Sequence, residues 1–235
     1  MQTGFRNRRR HFHPESGTDP RGPLQSHGLT RCHLTLRKIG RLFIAMSSHT
    51  CPWWLGYLLA SPVRRLFENP TARLAPYVRE GMLVLEPGPG MGFFTLEMAR
   101  LVGLGGRVVA VDLQENMVAA LRRRAQRAGL ADRIDARCCS PDDLGIGDLA
   151  GRVDLAVLFH MLHEVSDQSR FLQAIHKALK PGGGVLIVEP RGHVSAEAFQ
   201  ASLAGAKTIG FEIAEPVEGK VLHALLRRTT AGPFS

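Results

Sequence analysis

The sequence predicts an α/β fold whose core is a doubly wound, mainly parallel sheet of seven strands. From residue 82 onward, short apolar runs alternate with segments of helical periodicity, an order typical of parallel strands joined by right-handed crossover helices. The apolar runs are nearly continuous, as expected of strands that are covered on both faces. The last two runs are separated only by residues 215–218, which are too few for a helical crossover. We therefore expect a Rossmann-like sheet that ends in an antiparallel C-terminal hairpin.

The strands and helices are predicted from local patterns along the chain. The strands are expected over 82–87, 107–112, 133–138, 153–159, 184–190, 208–214 and 219–227. The helices are expected over 92–102, 114–128, 167–179 and 195–204. Gly129 would end the second helix, because glycine readily adopts the left-handed conformation at a helix terminus. The turn Lys180-Pro181-Gly182 would stop the third helix.

The charge of the chain is concentrated at one end. The 235 residues carry a formal net charge of +9, and 44% of them are hydrophobic, which is enough for a sizeable core. Residues 1–45 hold nine Lys and Arg against two Asp and Glu, whereas the remainder is close to neutral. The basic character therefore gives little reason to expect a folded domain that binds nucleic acid.

The domain boundaries follow from the same change in composition. Residues 1–45 are interpreted as a disordered basic arm or as sequence upstream of a true start at Met46. Alternatively, residues 1–45 are an arm that binds nucleic acid or a membrane surface, or a targeting segment. Residues 46–80 are expected to form a helical cap that either packs on the sheet or closes over a pocket. Residues 81–228 would form the main domain, and residues 229–235 a tail.

Cysteine usage and hydropathy indicate the cellular compartment. The four cysteines form no CxxC pair and no disulfide framework, which suits a reduced cytoplasm. No apolar run reaches the length that a membrane span requires. We expect a cytoplasmic protein without a membrane span.

A glycine-rich loop, EPGPGMG at residues 86–92, joins the first predicted strand to the first helix. Glycine lets a backbone turn tightly and approach a ligand, and the free N–H groups of a following helix face the same place. Asp112 lies 20 residues past Gly92, at the end of the second strand, where a carboxylate can accept hydrogen bonds from a ribose diol. Together they predict a cofactor that contains adenosine, which NAD and S-adenosylmethionine share.

Three features favour S-adenosylmethionine over NAD. Glu86 directly precedes the glycines, where its carboxylate would repel a pyrophosphate but suits a ligand with an ammonium and a sulfonium group. Phe93 stands where the dinucleotide fingerprint has its last glycine. The third feature is the predicted C-terminal hairpin. An NAD-dependent oxidoreductase is the alternative.

The chain resembles the class I S-adenosylmethionine-dependent methyltransferases over about residues 80–228. The segments that carry the resemblance are VLEPGPGMGFFT, VVAVDLQENMV, VDLAVLFHMLHEV and LKPGGGVLIVEP, which occur in the family's order and spacing. The resemblance implies S-adenosylmethionine as the cofactor and the transfer of its methyl group. HMLHEV and LKPGGG are similar to the branch that methylates small molecules, including quinone precursors.

The resemblance also implies which residues bind the cofactor. The loop residues Glu86, Gly88 and Gly90 would lie along the methionine part, with Glu86 reaching its ammonium group. Gly92 belongs to the same motif. Asp112 would hold the ribose.

The remaining cofactor contacts are implied at the ends of later strands. Leu113 would pack on the adenine. Ser140 or Asp142 would meet the adenine amino group, where the family often has an aspartate. Phe159 and His160 would border the sulfonium.

A catalytic base is needed only if the attacking atom must lose a proton. The candidates near the strand ends are His160, His163, Glu164, Glu189 and His193, with His163 as the first choice. In the alternative interpretation, His163 and Glu164 orient the loop or cap the next helix. The segment HMLHE matches neither the HExxH nor the HxxEH spacing of metalloproteases, so no metal is expected.

A small-molecule acceptor is favoured over nucleic acid or protein. No Asn/Asp-Pro-Pro-Tyr/Phe motif follows the fourth strand, and the chain has no large insertion for a protein substrate. Four arginines at positions 122, 123, 124 and 127 form a charge run that is usually a solvated face and otherwise would contact RNA. The alternatives are an RNA or protein methyltransferase and a non-catalytic module that only binds the cofactor.

Overall fold

A computed structural model of the chain describes residues 68–190, 192–215 and 222–229. Its helices and strands in chain order are α1 (Pro70–Leu74), β1 (Leu83–Pro87), α2 (Thr95–Leu101), β2 (Arg107–Asp112), α3 (Glu115–Arg127), β3 (Ile134–Cys138), β4 (Val153–Phe159), α4 (Gln168–Ala178), β5 (Leu179–Glu189), α5 (Ala196–Ile209), β6 (Phe211–Glu215) and β7 (Leu222–Arg228). The predicted basic arm, most of the predicted cap and nearly all of the tail lie outside the described residues.

The strands form one seven-stranded sheet in the order β3-β2-β1-β4-β5-β7-β6. Strands β1 to β5 pair in parallel, whereas β7 pairs antiparallel with both β5 and β6. The predicted fold, including its antiparallel C-terminal pair of strands, is confirmed. The chain runs outward in opposite directions from β1 and β4, so the carboxyl ends of these two strands flank the switch point where open α/β sheets bind ligands.

Apolar side chains fill both faces of the sheet, because successive residues of a strand point to opposite sides. On β1, Leu85 joins a buried cluster with Phe199 of α5 and residues of α4. Its neighbour Val84 joins the opposite cluster with Leu74 of α1 and Met98 of α2. The helices thus cover both faces, as the continuous apolar strands predict.

Two predicted helix boundaries are wrong. The helix after the glycine loop begins at Thr95 rather than at residue 92, because Gly92 has a left-handed φ of 83° that no α-helix accommodates. The helix predicted to stop at residue 204 continues to Ile209, since Ala206 is fully buried and the apolar face therefore extends further. Gly210, with φ of 107°, ends it, so the following strand begins at Phe211 and not at residue 208.

Strand β5 is longer than predicted, because its Leu179–Glu189 span includes the turn sequence that follows α4. Helix α4 still stops where expected, at Ala178. In the described part of the chain, no helix combines the length and apolar character that crossing a membrane would need.

Candidate functional site

The loop after β1 depends on three glycines with left-handed backbone conformations. Gly88, Gly90 and Gly92 have φ values of 69°, 55° and 83°. A Cβ on Gly92 would lie 2.3 Å from Leu121 Cδ1 on α3, whereas a Cβ on Gly90 would meet nothing within 4 Å. Gly92 therefore serves the packing of the loop on α3, and Gly90 has open space beside it.

Glu86 lies immediately before this loop and is only 3% exposed. Burial raises the pKa of Glu86 to about 8, the nearby Thr95 hydroxyl lowers it, and the Asp112 carboxylate raises it further. Glu86 Oε2 and Thr95 Oγ1 are buried, and neither makes a hydrogen bond within the described residues. A buried carboxylate oxygen without a partner is costly, so Glu86 is suited to a cationic or hydrogen-bond-donating group that approaches the loop.

Asp112 ends β2 and ties the glycine loop to that strand. Its Oδ2 accepts a hydrogen bond from Gly90 N at 3.1 Å, and its Oδ1 accepts one from Gln114 N at 2.9 Å. Burial raises the pKa of Asp112, although the backbone N–H donors lower it. Each carboxylate oxygen retains acceptor capacity beyond its one backbone partner.

The predicted adenine contacts lie at the ends of β2 and β3. Leu113 follows Asp112 and is 46% exposed, which is unusual for a large apolar side chain in this domain. Ser140 pairs with Asp143 in a tight turn through backbone and hydroxyl hydrogen bonds. Asp142 is exposed and lies 3.7 Å from Arg170 Nη1. The choice between Ser140 and Asp142 stays open.

The end of β4 brings Phe159 and His160 beside the loop. Phe159 stacks on Phe94 with ring centroids 4.0 Å apart and planes within 8°. His160 has φ of 55° and is the one non-glycine residue with a left-handed backbone in the described part of the chain. Strained backbone of this kind concentrates at functional sites. The next residue, Met161, lies against Gly88, 3.3 Å from the position of a Cβ there.

His163 is held by the carboxylate that ends β5. Its Nδ1 lies 2.6 Å from Glu189 Oε2, and its backbone N–H donates to Glu189 Oε1 at 3.2 Å. Glu189 is 1% exposed, whereas the His163 side chain is about one-quarter exposed. The hydrogen bond to Glu189 raises the pKa of His163 against the opposing effect of burial.

The structure brings most of the predicted residues to the carboxyl edge of the sheet, but it adds contacts that sequence reasoning missed. Thr95 beside Glu86, Met161 beside Gly88, and the pairing of Glu189 with His163 were not predicted. For Glu189, the signal available was an acidic residue at the end of the apolar run that begins at residue 184.

The arginine run on α3 is partly occupied in holding the fold. Arg122 Nη2 donates to Ala136 O at 2.5 Å, and Arg124 Nη1 donates to Met91 O. Both contacts join α3 to neighbouring backbone, so half of the run serves packing. Among the residues that the structure describes, no group of three or more His, Cys, Asp and Glu side chains is arranged to hold a metal ion.

Comparison with known proteins agrees with these features. Residues 85–187 match a family model described as a methyltransferase domain. Relatives named ubiquinone/menaquinone biosynthesis C-methyltransferase UbiE include those of Hydrogenovibrio crunogenus and Cellvibrio japonicus. The first is 31% identical over 127 residues, covering 54% of this chain and 49% of the relative. The second is 32% identical over 132 residues, covering 56% and 52%. The chain thus spans about half the length of these relatives.

Solved structures show the same fold. A crystal structure of a SAM dependent methyltransferase from Aquifex aeolicus aligns with a TM-score of 0.69 at 21% sequence identity. The alignment covers 77% of this chain and 100% of that chain. The methyltransferase resemblance predicted from the sequence motifs is confirmed over residues 85–187.

Proposed function

We propose that this chain belongs to the class I S-adenosylmethionine-dependent methyltransferase superfamily. It transfers a methyl group from S-adenosylmethionine to a small-molecule acceptor. The observation that carries the proposal is the buried Glu86 carboxylate with an unpartnered oxygen next to the glycine loop.

Glu86 fits the cationic end of this cofactor. An ammonium group would supply the missing hydrogen-bond donor and would stabilise the ionised carboxylate. A pyrophosphate at the same place would offer no hydrogen-bond donor to Glu86 and would oppose ionisation of its carboxyl group, which counts against NAD.

The residues that follow β2 fit the adenosine part. Asp112 offers two oxygens to a ribose diol, and each already accepts a backbone N–H that fixes its direction. The exposed Leu113 offers an apolar surface for a purine ring. We propose that Gly88 and Gly90 allow the methionine part to lie against the loop, and that Phe159 and His160 lie beside the sulfonium.

When bound, S-adenosylmethionine supplies a methyl group on a positively charged sulfur, open to attack by an electron pair. The protein's contribution is then largely to hold the acceptor in line, which is worth on the order of 7–11 kcal/mol in favourable cases. We propose His163, with His160 as the second candidate, as the base if the attacking atom carries a proton.

The printed names of the relatives favour a quinone-like acceptor methylated on carbon. We extend only the small-molecule class to this chain, because it spans about half of those proteins. The free thiols of Cys138 and Cys139 favour a reducing compartment, and we propose the cytoplasm.

Calorimetric titration with S-adenosylhomocysteine tests the cofactor site. Asp112→Ala should weaken binding by roughly 10- to 100-fold, because a hydrogen bond to a charged group contributes about 1.5–3 kcal/mol. Asp132→Ala, which removes an exposed carboxylate beyond α3, is the matched control and should bind like the unaltered protein. An Asp112→Ala variant with full affinity would refute the ribose assignment.

A further inference from the structure

The His163–Glu189 pair joins two elements that are distant in sequence. His163 lies in the 3₁₀ turn Leu162–Glu164 after β4, and Glu189 is the last residue of β5. Glu189 uses both oxygens on the same residue, one on the backbone N–H and one on the ring. The carboxylate therefore holds both the turn and the orientation of the imidazole.

The bond to Glu189 determines which ring nitrogen carries hydrogen. An ionised carboxylate only accepts hydrogen bonds, so His163 Nδ1 must be the donor at 2.6 Å. In the neutral imidazole the lone pair is then on Nε2. The side chain is partly exposed, whereas its partner is buried, so the ring is anchored on one side and accessible on the other.

Among the residues that the structure describes, two carboxylates act on the charge of the His163 ring. Glu189 faces it from β5, and Glu164 is its neighbour in the same turn. From the segment after β5, the His193 ring lies with its centroid 6.0 Å away, at an angle of 56°. Both carboxylates favour a positive charge on His163, and Glu189 has the larger effect because of its direct hydrogen bond.

We propose that Glu189 is a positioning residue that fixes His163 with Nε2 as the proton acceptor, for small molecules whose attacking hydroxyl or carbon arrives carrying a proton. This inference rests on the proposed function. The proton passes from the acceptor to Nε2, and the electron pair that it leaves forms the bond to the methyl carbon. The pair of the broken carbon–sulfur bond stays on sulfur, so the positive charge lost there appears on the imidazolium, which Glu189 stabilises.

The pH dependence of His163 modification by diethyl pyrocarbonate tests the proposal without any acceptor. This reagent acylates unprotonated imidazole, and peptide mass spectrometry isolates the reaction at His163. Glu189→Gln should move the midpoint of the rate profile to lower pH, because the variant loses an opposite charge in direct contact with the imidazole. Glu212→Gln, a matched exchange at an exposed position on β6, should leave the midpoint unchanged. An unchanged midpoint in Glu189→Gln would overturn the proposal.

A measurement on the unaltered protein covers the case in which Glu189→Gln fails to fold. Long-range nitrogen–proton NMR correlations of ¹⁵N-histidine-labelled protein should show neutral His163 with hydrogen on Nδ1. Hydrogen on Nε2 would overturn the proposal. Neither readout requires methyl transfer, so failure to bind S-adenosylhomocysteine would refute the proposed function while leaving the role of Glu189 to be judged separately.

Discussion

At the scale of single residues, the burial of Glu86 is unfavourable in the free protein and becomes less so when a ligand binds. The folded protein buries this carboxyl group without a hydrogen-bond partner for Oε2 among the described residues. Its raised pKa reflects that cost, because burial disfavours the charged form. A cation that binds there recovers part of the cost.

Binding of S-adenosylhomocysteine, which keeps the amino-acid ammonium group, should release protons below about pH 8. At neutral pH Glu86 is largely protonated in the free protein, since its pKa is raised from 4.5 to about 8. The ammonium group favours the carboxylate, so affinity should rise with pH until about pH 8 and then level off. Calorimetry in two buffers of different ionisation enthalpy measures the protons released.

Glu86→Gln is the control for that experiment, because its amide cannot titrate. It should bind more weakly and with less proton release than the unaltered protein. Equal heats in both buffers for the unaltered protein would contradict the assignment.

Without ligand, the raised pKa of Glu86 should lower the free energy of unfolding as pH rises from 4.5 to about 8, because the folded state then binds more protons than the unfolded chain.

His160 presents a different kind of cost, in the backbone. Because its φ is 55°, His160→Gly should be more stable than His160→Ala by about 1 kcal/mol. Urea denaturation of the two variants measures the difference. At His176, inside α4, the alanine variant should instead be more stable than the glycine variant, since glycine costs about 1 kcal/mol relative to alanine in a helix. Greater stability of His160→Ala would rule out a left-handed backbone there.

At the scale of elements, the β1–α2 loop combines two requirements in one short glycine sequence. Gly90 lies beside open space and donates its N–H to Asp112. Gly92 instead allows the loop to contact Leu121 of α3 closely. One motif thus contributes both a ligand-facing surface and a packing contact.

Gly92→Ala should therefore reduce stability more than Gly90→Ala. Both variants place alanine at a left-handed φ, but only the first adds a Cβ 2.3 Å from a fully buried side chain. Overpacking of this kind costs about 1–3 kcal/mol, which should appear as the difference between their free energies of unfolding. Chemical denaturation measures it.

A second substitution can show that the contact with α3 causes that difference. Leu121→Val shortens the side chain that Gly92→Ala would strike, so the double variant should lose less stability than the sum of the two single losses. If the loss in the double variant equals the sum of the two single losses, the cost of Gly92→Ala does not come from its contact with Leu121.

At the scale of the whole molecule, the order of the strands assembles the site. Four neighbouring strands of the sheet carry Glu86, Asp112, Phe159 and Glu189 at their carboxyl ends or one residue before them. Parallel pairing brings their carboxyl ends to one edge, so side chains up to about a hundred positions apart in the chain meet there.

Removing residues 1–45 should leave the free energy of unfolding within about 0.5 kcal/mol of the full chain. The composition of residues 1–45, basic and without a sustained helical or strand period, is that of an arm outside the hydrophobic core. Affinity for S-adenosylhomocysteine should also be retained. Denaturation and calorimetry of the shortened and full chains provide the comparison, and a clear loss of either quantity would assign the arm a structural role.

The sequence by itself determined the alternation of strands and helices, the glycine loop and the position of Asp112. These features follow from local patterns, since periodicity and turn residues act over a few neighbouring positions. The antiparallel pairing of β6 with β7 was predictable for the same reason, because the connection is too short for a helix. The end of α5 was not predictable from the sequence, because burial of Ala206 depends on what the helix packs against.

Only the tertiary structure decided how the site residues pair. Glu189 meets His163 across 26 positions, and Gly92 meets Leu121 of another helix. Thr95 stands beside Glu86 across the loop. Such contacts depend on strand order, register and helix placement, which the free energy of the whole fold sets and which no short segment encodes.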